Sequence, residues 1–342
     1  MISYAESIRP KGGSEMNHAR AVLRRLVSPR VWILTALVFA VGASSSAFAA
    51  GKWAVVNSAG ALIRGKGATS SSNLSTGTYQ VDFSSNQTNC AYISTPGDTG
   101  AGAVAGPIID TVASRAGDPN GLFIQSFDQS TGSLSSQPLH VATYCGTKKL
   151  YAVVDSAGNL ARGPRVVSSA HLGTGSYEVI FNRKVKNCAF TATLGTTGAG
   201  SIPAPGLITV AGRAGNFNGV FVRIVDRTGA SLDSSFHLAV TCGGLFAVVE
   251  ANGTLARGGH VTSLAKLSGA NGGTYQVIFD RTVSGCAYNA TVGPSTFGGS
   301  IGPPPVTITT ATRAGNPNGV FIFIHQANGT TIDEPFHLVV SC

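Results

Sequence analysis

The chain has 342 residues, a formal charge of +9, 11% charged residues and 43% hydrophobic ones, with 44 glycines. Glycine stands at roughly twice its average share without a Gly-X-Y period, which excludes collagen, and so apolar a composition excludes a disordered chain. The length allows two to four domains.

The first segment has the pattern of a leader. Arg20, Arg24, Arg25 and Arg30 precede the apolar run Val31 to Val41, and Ala47 and Ala49 follow in a small-x-small arrangement. A basic region, a short apolar core and a small-residue cleavage site predict a secretory signal peptide over residues 1–49. Met16 offers a more ordinary start, which makes residues 1–15 a candidate untranslated stretch. The general secretory route is preferred, because Arg24-Arg25 is a poor twin-arginine match. The apolar core is too short for a membrane span, so no stable span is expected after cleavage. Without residues 1–49 the charge falls to +5, from 18 basic and 13 acidic residues. No basic stripe with aromatic platforms remains, so no nucleic-acid partner is expected.

Three copies of one text follow: residues 50–145, 149–242 and 244–342. Tyr79, Tyr177 and Tyr275 recur at steps of 98, as do Cys90, Cys188 and Cys286. That period suits three small domains better than a solenoid. Each copy opens on a pair of short strands around a turn ("WAVVNSAGALIRG", "YAVVDSAGNLARG", "FAVVEANGTLARG"). A strand with one apolar face follows, in which Tyr177, Val179 and Phe181 alternate with polar neighbours. Then come "CAFTATLG", a Gly/Pro-rich loop, "LITVAGRAG", a turn, a further strand and the closing "FHLAVTC". About eight short strands per copy with no helix predict an all-β chain of three tandem Greek-key or jelly-roll-like β-sandwich domains. The near absence of linkers means that the domains contact one another, either as a rod or as a pseudo-threefold cluster.

The turn is written three times, as "RAGDPNG", "RAGNFNG" and "RAGNPNG". Asn316, Pro317 and Gly319 have the chemistry of a type I turn, with a left-handed Gly319 expected to start the returning strand. The cysteines pair at spacings of 55, 54 and 56, as Cys90–Cys145, Cys188–Cys242 and Cys286–Cys342. Repetition favours one bridge per domain in an exported chain, and closing a loop of that length contributes up to ~4 kcal/mol. An immunoglobulin domain would add a Trp between its cysteines and a strand after the second, and neither is present.

No carboxylate occupies the same place in all three copies, so a carboxylate-pair hydrolase or a calcium site in every repeat is not expected. No cofactor motif is present and no metal is expected. Three polar positions recur: Arg64, Arg162 and Arg257; Arg115, Arg213 and Arg313; His140, His237 and His337. His237 lies on the strand face opposite Phe236 and Leu238, away from its domain's core. Two readings stand: anion or glycan contacts, or structural arginines bonded to backbone carbonyls with histidines packed on the sheet. Phe217 replaces the turn proline of its siblings and is a further candidate contact. The variable Gly/Pro-rich loops are candidate partner-binding tips.

The segments "AVV…G.L.RG", "G.Y.V.F", "CA[FY].AT.G", "RAG..NGVF" and "FHL.V.C" resemble secreted bacterial proteins built from tandem domains of this kind, over Lys52 to Cys342. The resemblance implies a secreted or cell-surface protein and carries no settled activity. The "G.Y.V.F" strand is also similar to C1q-like jelly rolls. The expected function is non-enzymatic recognition of an unknown extracellular ligand, a glycan or a surface protein. A structural spacer or coat component is the alternative, and a cell-wall hydrolase the third.

Overall fold

The computed structural model describes residues 51–102, 106–200, 202–267, 272–298 and 305–342; the leader expected at 1–49 lies outside them. The described residues are all β. The first repeat runs β1 (Lys52–Val56), β2 (Leu62–Lys66), β3 (Ala68–Ser75), β4 (Thr78–Phe83), β5 (Ala91–Pro96), β6 (Ile108–Ser114), β7 (Gly121–Asp128) and β8 (Leu139–Tyr144). The second runs β9 (Leu150–Val154), β10 (Leu160–Arg162), β11 (Val166–Gly173), β12 (Ser176–Phe181), β13 (Ala189–Ala199), β14 (Gly206–Gly212), β15 (Gly219–Asp226) and β16 (Phe236–Thr241). The third runs β17 (Phe246–Val249), β18 (Leu255–Gly259), β19 (Val261–Lys266), β20 (Thr274–Phe279), β21 (Ala287–Val292), β22 (Val306–Thr312), β23 (Gly319–Gln326) and β24 (Phe336–Ser341).

Each repeat folds these strands into two antiparallel layers. In the first they are β2-β1-β8-β5 and β3-β4-β7-β6, and the same orders recur as β10-β9-β16-β13 with β11-β12-β15-β14, and as β18-β17-β24-β21 with β19-β20-β23-β22. The two layers of a repeat enclose a core. In the second repeat it holds Tyr177, Val179 and Phe181 from one layer against Phe236, Leu238 and Val240 from the other, with Cys188 among them. Each such side chain contributes about 1.5–3 kcal/mol on burial. The three bridges Cys90–Cys145, Cys188–Cys242 and Cys286–Cys342 each tie the start of one strand to the end of its partner within one repeat.

The two layers differ in what their faces meet. In β12 and β20 burial alternates, so one face is wet. In β5, β8, β16, β21 and β24 every residue is buried. These strands of the layer holding the first and last strands are therefore covered on both sides, while its edge strands β2, β10 and β18 stay largely exposed. Its second face packs on the other repeats: Trp53, Val55, Ile93 and Tyr144 share a cluster with Tyr151, Val153 and Ala239 of the second repeat and Ala287 of the third.

The hairpin after β14 carries two turns in succession. Asn216 N–H donates to Arg213 O (3.1 Å) and Gly219 N–H to Asn216 O (3.0 Å). The left-handed residue is Gly215 (φ 71°), as are Gly117 and Gly315, and the expectation of a left-handed Gly319 is corrected. Gly219 and Gly319 serve close approach instead: a Cβ there would meet the Arg213 or Arg313 Cβ at 2.6 Å.

Candidate functional site

Two of the three recurring polar sets, Arg64, Arg162 and Arg257 with His140, His237 and His337, sit at the seams between repeats. Strand β5 pairs with β8 along one edge, and its other edge has no backbone partner strand. An open edge must find partners for its N–H and C=O groups, and the second repeat supplies them from side chains. Arg162 Nε donates to Cys90 O (2.7 Å). Tyr92 N–H donates to His237 Nδ1 (2.9 Å). Ser94 N–H donates to Thr193 Oγ1 (3.0 Å), which donates back to Ser94 O (3.0 Å). One Arg, one His and one Thr thus hold three alternate residues of the neighbouring strand.

The same clasp is built twice more. The third repeat holds β13 through Arg257 on Cys188 O (2.8 Å), His337 on Phe190 N–H (2.9 Å) and Thr291 on Ala192 N–H (2.9 Å). The first repeat holds β21 through Arg64 on Cys286 O (3.1 Å), His140 on Tyr288 N–H (2.9 Å) and Thr95 on Ala290 N–H (3.0 Å). Second on first, third on second and first on third is a cycle.

Each histidine is fully buried and uses both ring nitrogens. Nδ1 accepts the neighbour's N–H, so the proton sits on Nε2 and is donated to Asp98 O, Thr196 O or Pro294 O in the histidine's own repeat. Burial pushes all three down to about 3, with the nearby Arg64, Arg162 and Arg257 guanidinium charges acting in the same direction. They are neutral at physiological pH. The rings lie 4.9–5.1 Å from Tyr92, Tyr288 and Phe190. Candidate ligand contacts at His140, His237 and His337 therefore have no open edge to offer. Their outward face, inferred from strand alternation, is the seam. Thr95, Thr193 and Thr291 escaped the sequence reading, although the recurring Thr of "CA[FY].AT.G" marks them.

The described parts of the variable loops also lie against a neighbouring repeat. Leu194 and Gly195 pair in parallel with Thr111 and Val112 of β6. Gly97 bridges to Thr310, and Phe297 to Gly212. Each covers the open edge of another repeat's second layer.

The hairpin tip with the loop before each first cysteine carries none of the clasp bonds. Val185 N–H donates to Phe217 O (2.8 Å), as Gln87 does to Pro119 and Val283 to Pro317, so tip and loop are pinned together in every repeat. Arg115 lies over Phe123 and Arg313 over Phe321. Arg213 pairs with Glu178 (2.5 Å). In the second repeat the loop reads "NRKVKN", with Lys184 and Lys186 exposed. Lys186 Nζ stands 4.7 Å over the Phe217 ring, which is 47% exposed and meets Phe297 of the third repeat edge-on at 5.4 Å. The matching loops are "SSNQTN", uncharged, and "DRTVSG", whose Arg281 is paired with Asp280 (2.7 Å). Among the described residues, an exposed aromatic ring beside lysines without a salt bridge belongs to the second repeat.

Among the described residues no group of three or more His, Cys, Asp or Glu is placed to hold a metal ion, and no helix is long and apolar enough to cross a membrane. Three disulfides fit an oxidising, extracellular environment. No family model, curated protein or solved structure matches the chain.

Proposed function

We propose that the chain is a secreted or cell-surface recognition protein without enzymatic activity, and that it binds an anionic glycan or envelope polymer at the tip of its second repeat. The observation that carries this is the pairing of the half-exposed Phe217 with Lys186 and Lys184, on a loop without carboxylates. An aromatic face accepts the apolar face of a sugar, and lysines accept its acidic groups. The recurring Arg and His positions of the seams are occupied with the protein's own backbone, which leaves the tips as the recurring polar positions available to a partner.

The three repeats act as one closed pseudo-threefold unit, on the support of the cyclic clasp. Closure by rotation puts equivalent points in one plane around the axis. Arg115, Arg213 and Arg313 then flank three tips on one ring, of which the second is specialised. The structural reading, a spacer or coat component, is favoured by the two-sided burial of the seam layers, which serves rigidity and not binding.

Binding of the mature protein to acidic and neutral polysaccharides at two salt concentrations separates these readings. Acidic polymers are expected to bind, more weakly at high salt, and the Lys184→Glu/Lys186→Glu/Phe217→Ala variant is expected to lose at least tenfold in affinity with an unchanged melting temperature. No binding to any acidic polymer, or full binding by that variant, contradicts the proposal.

A further inference from the structure

At one buried cluster the first copy is polar where the other two are apolar. Where the second repeat has Ala192, Ile208 and Ile224, and the third has Ala290, Ile308 and Ile324, the first has Ser94, Asp110 and Ser126. An apolar trio has become a polar one. Asp110 sits in β6 opposite Ser126 of β7, as Ile208 sits opposite Ile224. Ser94 Oγ donates to Asp110 Oδ2 (2.6 Å) and Ser126 Oγ to Oδ1 (2.6 Å). Asp110 is 7% exposed, and no basic side chain forms a salt bridge with it among the described residues. A buried carboxylate without a counter-charge is strongly unfavourable unless something supplies one.

A cavity of about 60 Å³ lies beside it, walled by all three repeats. Asp110 and Ser94 line it from the first, Leu194 and Ile208 from the second, and Thr307 and Ile308 from the third. Thr307 is 5% exposed and its hydroxyl has no partner among the described residues. Ser94 Oγ, having donated its proton to the carboxylate, keeps its lone pairs. One carboxylate and two hydroxyl-bearing side chains thus line a space large enough for a few small atoms. A single negative charge matches a single positive one, whereas calcium sites gather six to eight oxygens with several carboxylates.

We propose that this cavity binds one small monovalent cation, an ammonium or alkali ion, between Asp110, Ser94 and Thr307. The ion joins the first and third repeats through their own oxygens and provides the counter-charge for Asp110. The cation's affinity is lost in acid, because burial pushes the Asp110 carboxyl up to about 6 and below that it is protonated.

Melting of the mature protein at pH 7.5 tests this, in potassium, sodium, ammonium or N-methylglucamine chloride at one ionic strength. At least one small cation is expected to raise the midpoint saturably by about 3 °C over the bulky one, and the difference is expected to vanish at pH 4.5. The Ser94→Ala/Asp110→Ile/Ser126→Ile variant, which copies the sibling repeats, should melt alike in all four salts. Asp110→Asn keeps the shape and serves as the second variant if the triple one does not fold. Equal midpoints for the wild-type protein in all salts, or an unchanged cation response in the variants, overturns the proposal.

Discussion

Thr193 and His237 each fill a hydrogen-bonding position that the edge of β5 would otherwise leave empty. Removing either leaves a buried N–H without a partner, which costs about 1–3 kcal/mol before the loss of packing is added. Thr193→Ala and His237→Ala are each expected to lower stability by about 2–3 kcal/mol in denaturant titration, while Arg213→Ala, at the partly exposed tip, stays within about 1 kcal/mol. Equal effects from the two classes would contradict the assignment of seam and tip. The histidines also fix a pH dependence. Their folded values lie near 3, below the ordinary 6.5. The unfolded chain therefore binds more protons, and stability present above pH 6.5 is lost as the pH falls toward 3. Asp110 acts with the opposite sign, since its raised value favours the folded state below about 6. Three histidines outweigh one carboxyl, so a net loss of several kcal/mol is expected between pH 7.5 and 5. Chemical denaturation at the two pH values checks it, and greater stability at pH 5 would refute it.

Strands were the most legible elements. The alternation in "GSYEVIF" marks one wet and one dry face, and β12 has both. The cysteine spacing carried the bridges, because one bridge per repeat is the pairing that repetition itself suggests. The unbroken apolar runs "WAVV", "YAVV", "FAVV" and "FHLAV" held a signal that went unused: strands without alternation are buried on both faces. By the same rule the outward face of His237, on one of these strands, is packed, and what packs on it is the neighbouring repeat. The partner of a side chain that crosses to another repeat leaves no periodic trace in its own segment, so the clasp was not legible as such. The hairpin reading misplaced its left-handed glycine because the motif contains two overlapping turns, Arg313 to Asn316 and Asn316 to Gly319, and only the second was recognised. The two glycines then make different predictions. Gly315 has open space around a Cβ and φ of 72°, so Gly315→Ala should cost about 1 kcal/mol in strain. Gly319→Ala meets the Arg313 Cβ and is expected to cost more. Reversal of that order in thermal melts would contradict the assignment.

At the scale of the molecule, each repeat is both clasp and strand. A repeat's Arg, His and Thr hold one neighbour, and its own open edge is held by the other. A linear rod would leave the first repeat's clasp and the third repeat's edge without partners, which are the groups that His140 and Tyr288 bring together. The alternatives differ most in overall dimension. Small-angle scattering from residues 50–342 in neutral buffer measures it directly. Closure predicts a radius of gyration of about 19 Å, the value for one compact body of this length. A radius near ~30 Å with a maximum dimension near ~100 Å, as three compact domains in a row would give, contradicts it.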